Sequence, residues 1–194
     1  MKRQIRKNVF ETNSSSTHAI CISKENKYEK EDYVSFRTGE FGWEFAVYKD
    51  TDDKASYLIT AILYRNKDYA DEKLKRLKEL LDENDIEYDF PELEEKSWEY
   101  NGEIHYCYKI NGYIDHVDET EEFVNAVLSD GKSLMKYLFG DSFIVTGNDN
   151  SPEPYDDYFF NYEGEEVTSY GIYSRYSDEY KEEFNKYDIY EKGN

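Results

Sequence analysis

Forty-four Asp and Glu against twenty-four Lys and Arg leave this 194-residue chain with a formal net charge of −20. Self-repulsion of that size opposes a compact state, and with little apolar content it would read as disorder. The chain also carries 21 Tyr and 11 Phe. Its hydrophobic fraction of 38% lies below the ~45–50% usual for globular domains. The sequence therefore predicts a folded unit whose core leans on aromatic rings and whose surface is strongly anionic. Such a surface repels nucleic acid and attracts basic proteins, including those built to hold phosphate backbones.

The charge is uneven. Lys2, Arg3, Arg6 and Lys7 open the chain without a single acid before Glu11. Residues 147–194 hold thirteen carboxylates against four bases, nearly half of the net charge. Pro152 and Pro154 mark the clearest break. The expected organisation is a core domain at 1–150 and an acidic, Tyr-rich extension at 151–194 packed on it. No apolar run reaches the ~18–20 residues of a membrane span. The basic start leads into polar residues rather than the apolar stretch of a secretion signal. With only Cys21 and Cys107, both in apolar surroundings, the chain reads as a reduced, cytoplasmic protein.

Hydrophobic periodicity points to mixed structure. Residues 17–23, 33–37, 43–48 and 142–146 read as strands, with Gly39 and Gly42 in the turn between the second and third. Asp52 or Asp53 is placed to cap a helix bearing Ala55, Leu58, Ile59, Ile62 and Leu63. Asp68 is placed to cap a second with Leu74, Leu77, Leu80 and Leu81. The second helix exposes Lys73, Lys75, Arg76 and Lys78, read as a solvated face. Asn101-Gly102 and Asn111-Gly112 are hairpin signals. Between them Ile104, Tyr106, Tyr108 and Ile110 share one side and His105, Cys107 and Lys109 the other. Residues 119–128 and 133–139 read as helices, the latter capped by Ser133. In the tail, 158–160 and 167–173 read as strands and 176–187 as an acidic helix. Strands and helices come in blocks, which predicts an α+β fold: a mainly antiparallel sheet with helices packed on one face.

Two segments stand out chemically. Residues 11–17 are seven consecutive polar residues that run, through His18, into a strand. Backbone N–H groups and hydroxyls in such a loop can cradle an anion, with Arg6 as counter-charge. Asn148, Asp149 and Asn150 end another strand, where a polar ligand can sit. The candidate ligand set is therefore Arg6, Glu11, Asn13, Ser14, Ser15, Ser16, Thr17, His18, Asn148, Asp149 and Asn150. Carboxylates in the tail allow loose divalent-cation binding, but the spacing is not that of an EF-hand. No His-Glu-x-x-His, Cys-x-x-Cys, nucleophile elbow or phosphate-binding glycine loop is present, so no cofactor, metal site or reaction is assigned.

The strings Arg6-x-x-Val-Phe-Glu-Thr-Asn-Ser-Ser-Ser-Thr-His18 and Phe139-Gly-Asp-Ser-Phe-Ile-Val-Thr-Gly-Asn-Asp-Asn150 resemble a group of uncharacterised proteins encoded by tailed phages and mobile elements of Gram-positive bacteria. The resemblance covers about an eighth of the chain and carries no activity with it. It implies a small, non-virion protein acting in the host cytoplasm, and a meeting of the two segments at one site.

Two functions follow as expectations. One is an acidic binding protein, a nucleic-acid-mimicking inhibitor of a basic host nucleic-acid-binding or defence protein. Its contact residues would be Glu153, Tyr155, Asp156, Asp157, Tyr158, Tyr162, Glu163, Glu165, Glu166, Asp178, Glu179, Glu182 and Glu183. The alternative is a phosphate or nucleotide site, enzymatic or not, using residues 11–18 with Asp149. Neither expects direct nucleic-acid or membrane binding. A monomer or small homo-oligomer is expected, because the excess charge opposes larger assembly.

Overall fold

Nine of the thirteen positions of the helix α1 (Thr51–Leu63) are buried, including Ala55, Tyr57, Leu58, Ile59, Ala61, Ile62 and Leu63. A helix that is apolar almost all round must be enclosed by the rest of the chain. In the computed structural model, which describes residues 16–42, 46–115, 120–148 and 185–192, it is. The other helices are α2 (Lys67–Glu83), α3 (Thr120–Val127) and α4 (Gly131–Phe139), and α1 touches all three.

The strands are β1 (Ser16–Ser23), β2 (Tyr33–Ser35), β3 (Glu40–Phe41), β4 (Ala46–Tyr48), β5 (Glu87–Asp89), β6 (Glu94–Tyr100), β7 (Glu103–Lys109), β8 (Tyr113–Ile114), β9 (Phe143–Asn148) and β10 (Tyr187–Lys192). The main sheet runs β10-β1-β9-β4 and is antiparallel throughout. Three two-stranded pairs surround it: β2-β5 and β3-β8, both parallel, and the antiparallel hairpin β6-β7. The fold is α+β with a mainly antiparallel sheet. Among the described residues no helix is long and apolar enough to cross a membrane.

The expectation that the core leans on aromatic rings does not hold: of the 32 buried hydrophobic residues among those described only six are aromatic, Phe36, Phe41, Tyr57, Phe123, Tyr137 and Phe143, and Leu, Ile, Val and Ala supply most of the rest. Edge-to-face ring contacts run from Tyr48 to Phe41 (5.2 Å), Phe41 to Tyr57 (5.0 Å), Tyr57 to Phe123 (5.8 Å) and Phe123 to Tyr137 (5.3 Å). Phe123 also meets Tyr190 of β10 at 6.4 Å. This relay ties β4, β3, α1, α3, α4 and β10 together, each contact stabilising by about 0.5–1.5 kcal/mol beyond the area it buries. Tyr137 Oη donates to the Lys54 carbonyl at 2.7 Å, whereas the buried Tyr69 Oη makes no hydrogen bond. Complete burial pushes the Tyr137 phenol well above its ordinary value.

Several local expectations shift. The caps are Asp50 for α1, Asn66 for α2 and Asp130 for α4, two or three residues ahead of the expected ones. Asn66 Oδ1 accepts from the Tyr69 N–H at 3.0 Å, and Asp130 Oδ1 from the Ser133 N–H at 2.7 Å. At Asn66 and Asp130 the side chain reaches the orphan amides of the first turn, which Asp68 and Ser133, already inside the helices, do not; Asp50 makes no side-chain capping bond. The segment around Gly39 and Gly42 is not a plain turn, since it contains β3. The hairpin at Asn111-Gly112 does not form either; β8 pairs in parallel with β3. Gly112 has φ +145°, and a Cβ there would lie 2.2 Å from the Gly39 carbonyl oxygen. The glycine therefore serves close backbone approach between two segments rather than a reversal. Tyr187 starts strand β10 rather than ending a helix. Residues 185 and 186 form a turn, and the tail strands expected at 158–160 and 167–173, with residues 176–184 of the expected tail helix, lie outside the described residues.

One charge is enclosed. Lys54 is 2% exposed and its ammonium donates to the Gly140 carbonyl at 3.0 Å. Burial lowers it from 10.5 to about 8, against the pull of Asp141, Asp50 and Glu31. Below pH 8 both folded and unfolded chains hold this proton, and folding bears the full desolvation cost. Between pH 8 and 10.5 the unfolded chain holds more proton than the folded one, so this group adds stability as pH rises. The advantage of Lys54→Met over the parent in urea unfolding should accordingly shrink by about 2 kcal/mol between pH 7 and pH 9.5. Cutting the relay with Phe123→Ala should cost about 3–5 kcal/mol in the same assay.

Candidate partner-binding surface

The antiparallel register of β1 and β9 sets Ser16 opposite Asn148, Thr17 opposite Gly147 and His18 opposite Thr146. The described ends of the two polar segments thus lie side by side in one sheet. Arg6, Glu11, Asn13, Ser14, Ser15, Asp149 and Asn150 lie outside the described residues. So do the expected tail contacts from Glu153 to Glu183.

His18 is a core residue, only 2% exposed. Its Nδ1 lies 3.1 Å from Tyr57 Oη. The ring edge faces Gly42, where a Cβ would come within 2.5 Å of Nε2 and 3.0 Å of Asp115 Cβ. The hydroxyl at this imidazole therefore belongs to Tyr57 of α1, and the pair buckles β1 to the aromatic relay. Among the described residues no cluster of three or more His, Cys, Asp or Glu is arranged to hold a metal ion. Cys21 is buried, Cys107 is half-buried on the hairpin, and they form no disulfide.

The basic face of α2 is neutralised in place. Lys73 pairs with Glu72 at 2.7 Å, Lys75 with Glu79 at 3.9 Å and Arg76 with Glu79 at 3.6 Å. Arg76 also donates to the Leu128 and Ser129 carbonyls that end α3, both at 3.3 Å. Lys78 lies over the Phe90 ring at 5.4 Å. These cations hold the fold and its surface together, as their reading as a solvated face expects.

The surface that stands apart is the β6-β7 hairpin. Asn101 (φ +53°) and Gly102 (φ +82°) make its two-residue turn, with both central residues in the left-handed region that hairpin twist favours. Seven residue pairs follow, from Tyr100–Glu103 down to Glu94–Lys109. Every residue of β6 is exposed. Trp98, Tyr100, Ile104 and Tyr106 are 44–64% exposed. The alternation expected for β7 holds: Ile104, Tyr106 and Tyr108 share one face, and Trp98 stacks on His105 across the other at 5.4 Å.

An isolated two-stranded hairpin is marginal in water, and this one is anchored at its root. Tyr108 Oη donates to Asp71 of α2. Lys67 bridges Asp71 at 2.7 Å and Glu95 at 3.4 Å, and Cys107 pairs with Asn66. The Lys67 ammonium, and then the Tyr108 hydroxyl, hold the Asp71 carboxyl below its ordinary value. The Asp71 bond in turn raises the Tyr108 phenol. Beside the root a cleft of about 370 Å³ opens, walled by Leu63, Pro91, Leu93 and Ile110 and edged by Glu92, Glu94 and Lys109.

The chain matches no protein-family model, no curated protein and no solved structure. The Asn101-Gly102 turn marks the hairpin in the sequence; aromatic and apolar residues on both of its faces, where a half-buried strand would show them on one, are the signal for its exposed rings.

Removing the buried hydroxyl in Tyr57→Phe should lower stability by about 1–3 kcal/mol. Urea unfolding of parent and variant measures the difference.

Proposed function

We propose that this protein acts by binding a basic protein partner, and that the partner handles nucleic acid. The observation that carries the reading is the hairpin of exposed Trp98, Tyr100, Ile104 and Tyr106 on a chain of net charge −20. Exposed large aromatics supply contact area and anchors at protein interfaces. The surrounding carboxylates steer a cationic surface towards them over a Debye length of ~8 Å. A partner whose cleft normally holds a phosphate backbone presents the complementary charge. Occupying that cleft would make the protein an inhibitor by mimicry. The resemblance to phage and mobile-element proteins supports the host cytoplasm as the setting of this proposal, and a nucleic-acid-binding or defence protein as its target.

A second reading, a phosphate or nucleotide site at residues 11–18 with Asp149, is favoured by one observation: the register that sets Ser16 opposite Asn148. The burial of His18 against Tyr57 removes its imidazole from a surface acid–base role, so this reading rests on loop amides and hydroxyls.

The test is affinity capture on the immobilised full chain from a Gram-positive lysate, with mass spectrometry of what is held. At low salt the expected captives are basic nucleic-acid-binding proteins, displaced by added duplex DNA and lost at high salt. Captives that are acidic, or basic proteins that DNA fails to displace, would refute mimicry. Retention of a nucleotide by the protein instead would favour the second reading.

A further inference from the structure

We propose that the outer edge of β6 is a strand-addition site for an extended partner segment in which Lys or Arg alternates with apolar residues, and that a basic side chain of that segment occupies the cleft beside Glu92. The proposal takes the basic character of the partner from the reading above. The mode of contact comes from the hairpin itself.

Among the described residues β6 pairs only with β7, whereas the far side of β7 is engaged at Cys107 by Asn66. One side of β6 therefore presents a row of backbone N–H and C=O groups, and all seven of its residues are exposed. Seven residues span about 23 Å at the rise of an extended strand, enough for several added backbone hydrogen bonds. An edge of this kind is a template for another chain, and proteins normally shorten or cover it. Here it is held in one register by the left-handed Asn101-Gly102 turn and tied to α2 through Lys67, Asp71 and Tyr108. Little ordering remains to be done on binding, which favours affinity. Main-chain bonds supply attraction in strand addition, and pockets for alternate side chains supply specificity.

The charges select the occupant. Glu94 is paired with Lys109 at 3.0 Å and Glu95 with Lys67. Glu92 at the cleft and Glu99 near the tip make no ion pair among the described residues. Two carboxylates along one edge thus await cations. The cleft suits a Lys or Arg side chain: Leu63, Leu93 and Ile110 line the path of an aliphatic stem, and Glu92 meets the charged end. Trp98 and Tyr100 offer rings for the apolar residues that alternate with the cations. A second copy of this chain fits poorly. Antiparallel pairing of two β6 edges about Ser97 would oppose Glu95 to Glu99 twice, between bodies of −20 each. Nucleic acid is repelled by the same field.

The experiment uses the full chain and a fluorescein-labelled peptide of alternating Lys and Val, read by anisotropy at about 150 mM salt. Two control peptides have the same charge: one N-methylated on alternate amides, and one with its Lys and Val residues grouped in blocks. The alternating peptide should bind at least about tenfold tighter than either, because N-methylation removes the backbone donors of one edge while leaving Coulomb attraction intact. Trp98→Ala and Glu92→Gln, both at exposed or cleft-edge positions, should each weaken it severalfold. Hydrogen exchange should slow at β6 amides when the peptide binds the parent protein, a readout that needs no variant. Equal binding of all three peptides, absence of binding, or unchanged exchange in β6 would overturn strand addition. If DNA-displaceable capture of basic proteins persists in that case, the broader reading stands without it. If the peptide result holds and no basic protein is captured, the edge site stands and mimicry falls.

Discussion

The enclosure of α1 is the constraint on which the rest of the molecule depends. A helix buried along most of its length needs neighbours on all sides. Leucine, isoleucine and valine side chains supply most of them, and a few tyrosine and phenylalanine rings link the elements across the core. Edge-to-face contacts from Tyr48 through Phe41, Tyr57 and Phe123 to Tyr137 and Tyr190 hold elements that are distant in sequence. Two fully buried phenols find their partners in the same core: Tyr137 binds the Lys54 carbonyl and Tyr57 the imidazole of His18.

That arrangement changes the meaning of His18. In the sequence it ends a run of polar, mostly hydroxyl-bearing residues and reads as a ligand group. In the fold it lies on the inward face of β1, in line with Ile20 and Ile22, and Tyr57 meets it from α1. The other face of β1 is buried as well, at Ala19 and Cys21. A strand covered on both faces loses polar alternation, and the Ala19–Ile22 stretch reads as a continuous apolar run.

Charge is managed differently on the body and on the arm. On α2 each lysine and arginine of the basic face is spent on a neighbouring carboxylate, a carbonyl or a ring, so the helix surface is locally balanced. On the β6-β7 hairpin aromatic side chains and carboxylates stand together in solvent, while a few contacts to α2 fix the root. Apolar area that the fold leaves uncovered, on a rigid element inside a strongly negative field, has the makings of a docking element for a cationic partner.

Local chemistry was legible in the chain. The Asn101-Gly102 turn, the alternation along β7, the stripes of α1 and α2 and the strand at Ser16–Ser23 follow from backbone preferences and side-chain period within a few residues, and the block order of strands and helices gave the α+β class. Tertiary structure alone decided that β8 turns to β3, that Tyr187–Lys192 adds a strand beside β1, that His18 is enclosed, and that the hairpin projects with both faces wet. Each of these is a contact between segments far apart in sequence, set by which surfaces compete best for burial once the whole chain has collapsed. A local pattern records what a segment prefers; it does not record which distant segment will cover it.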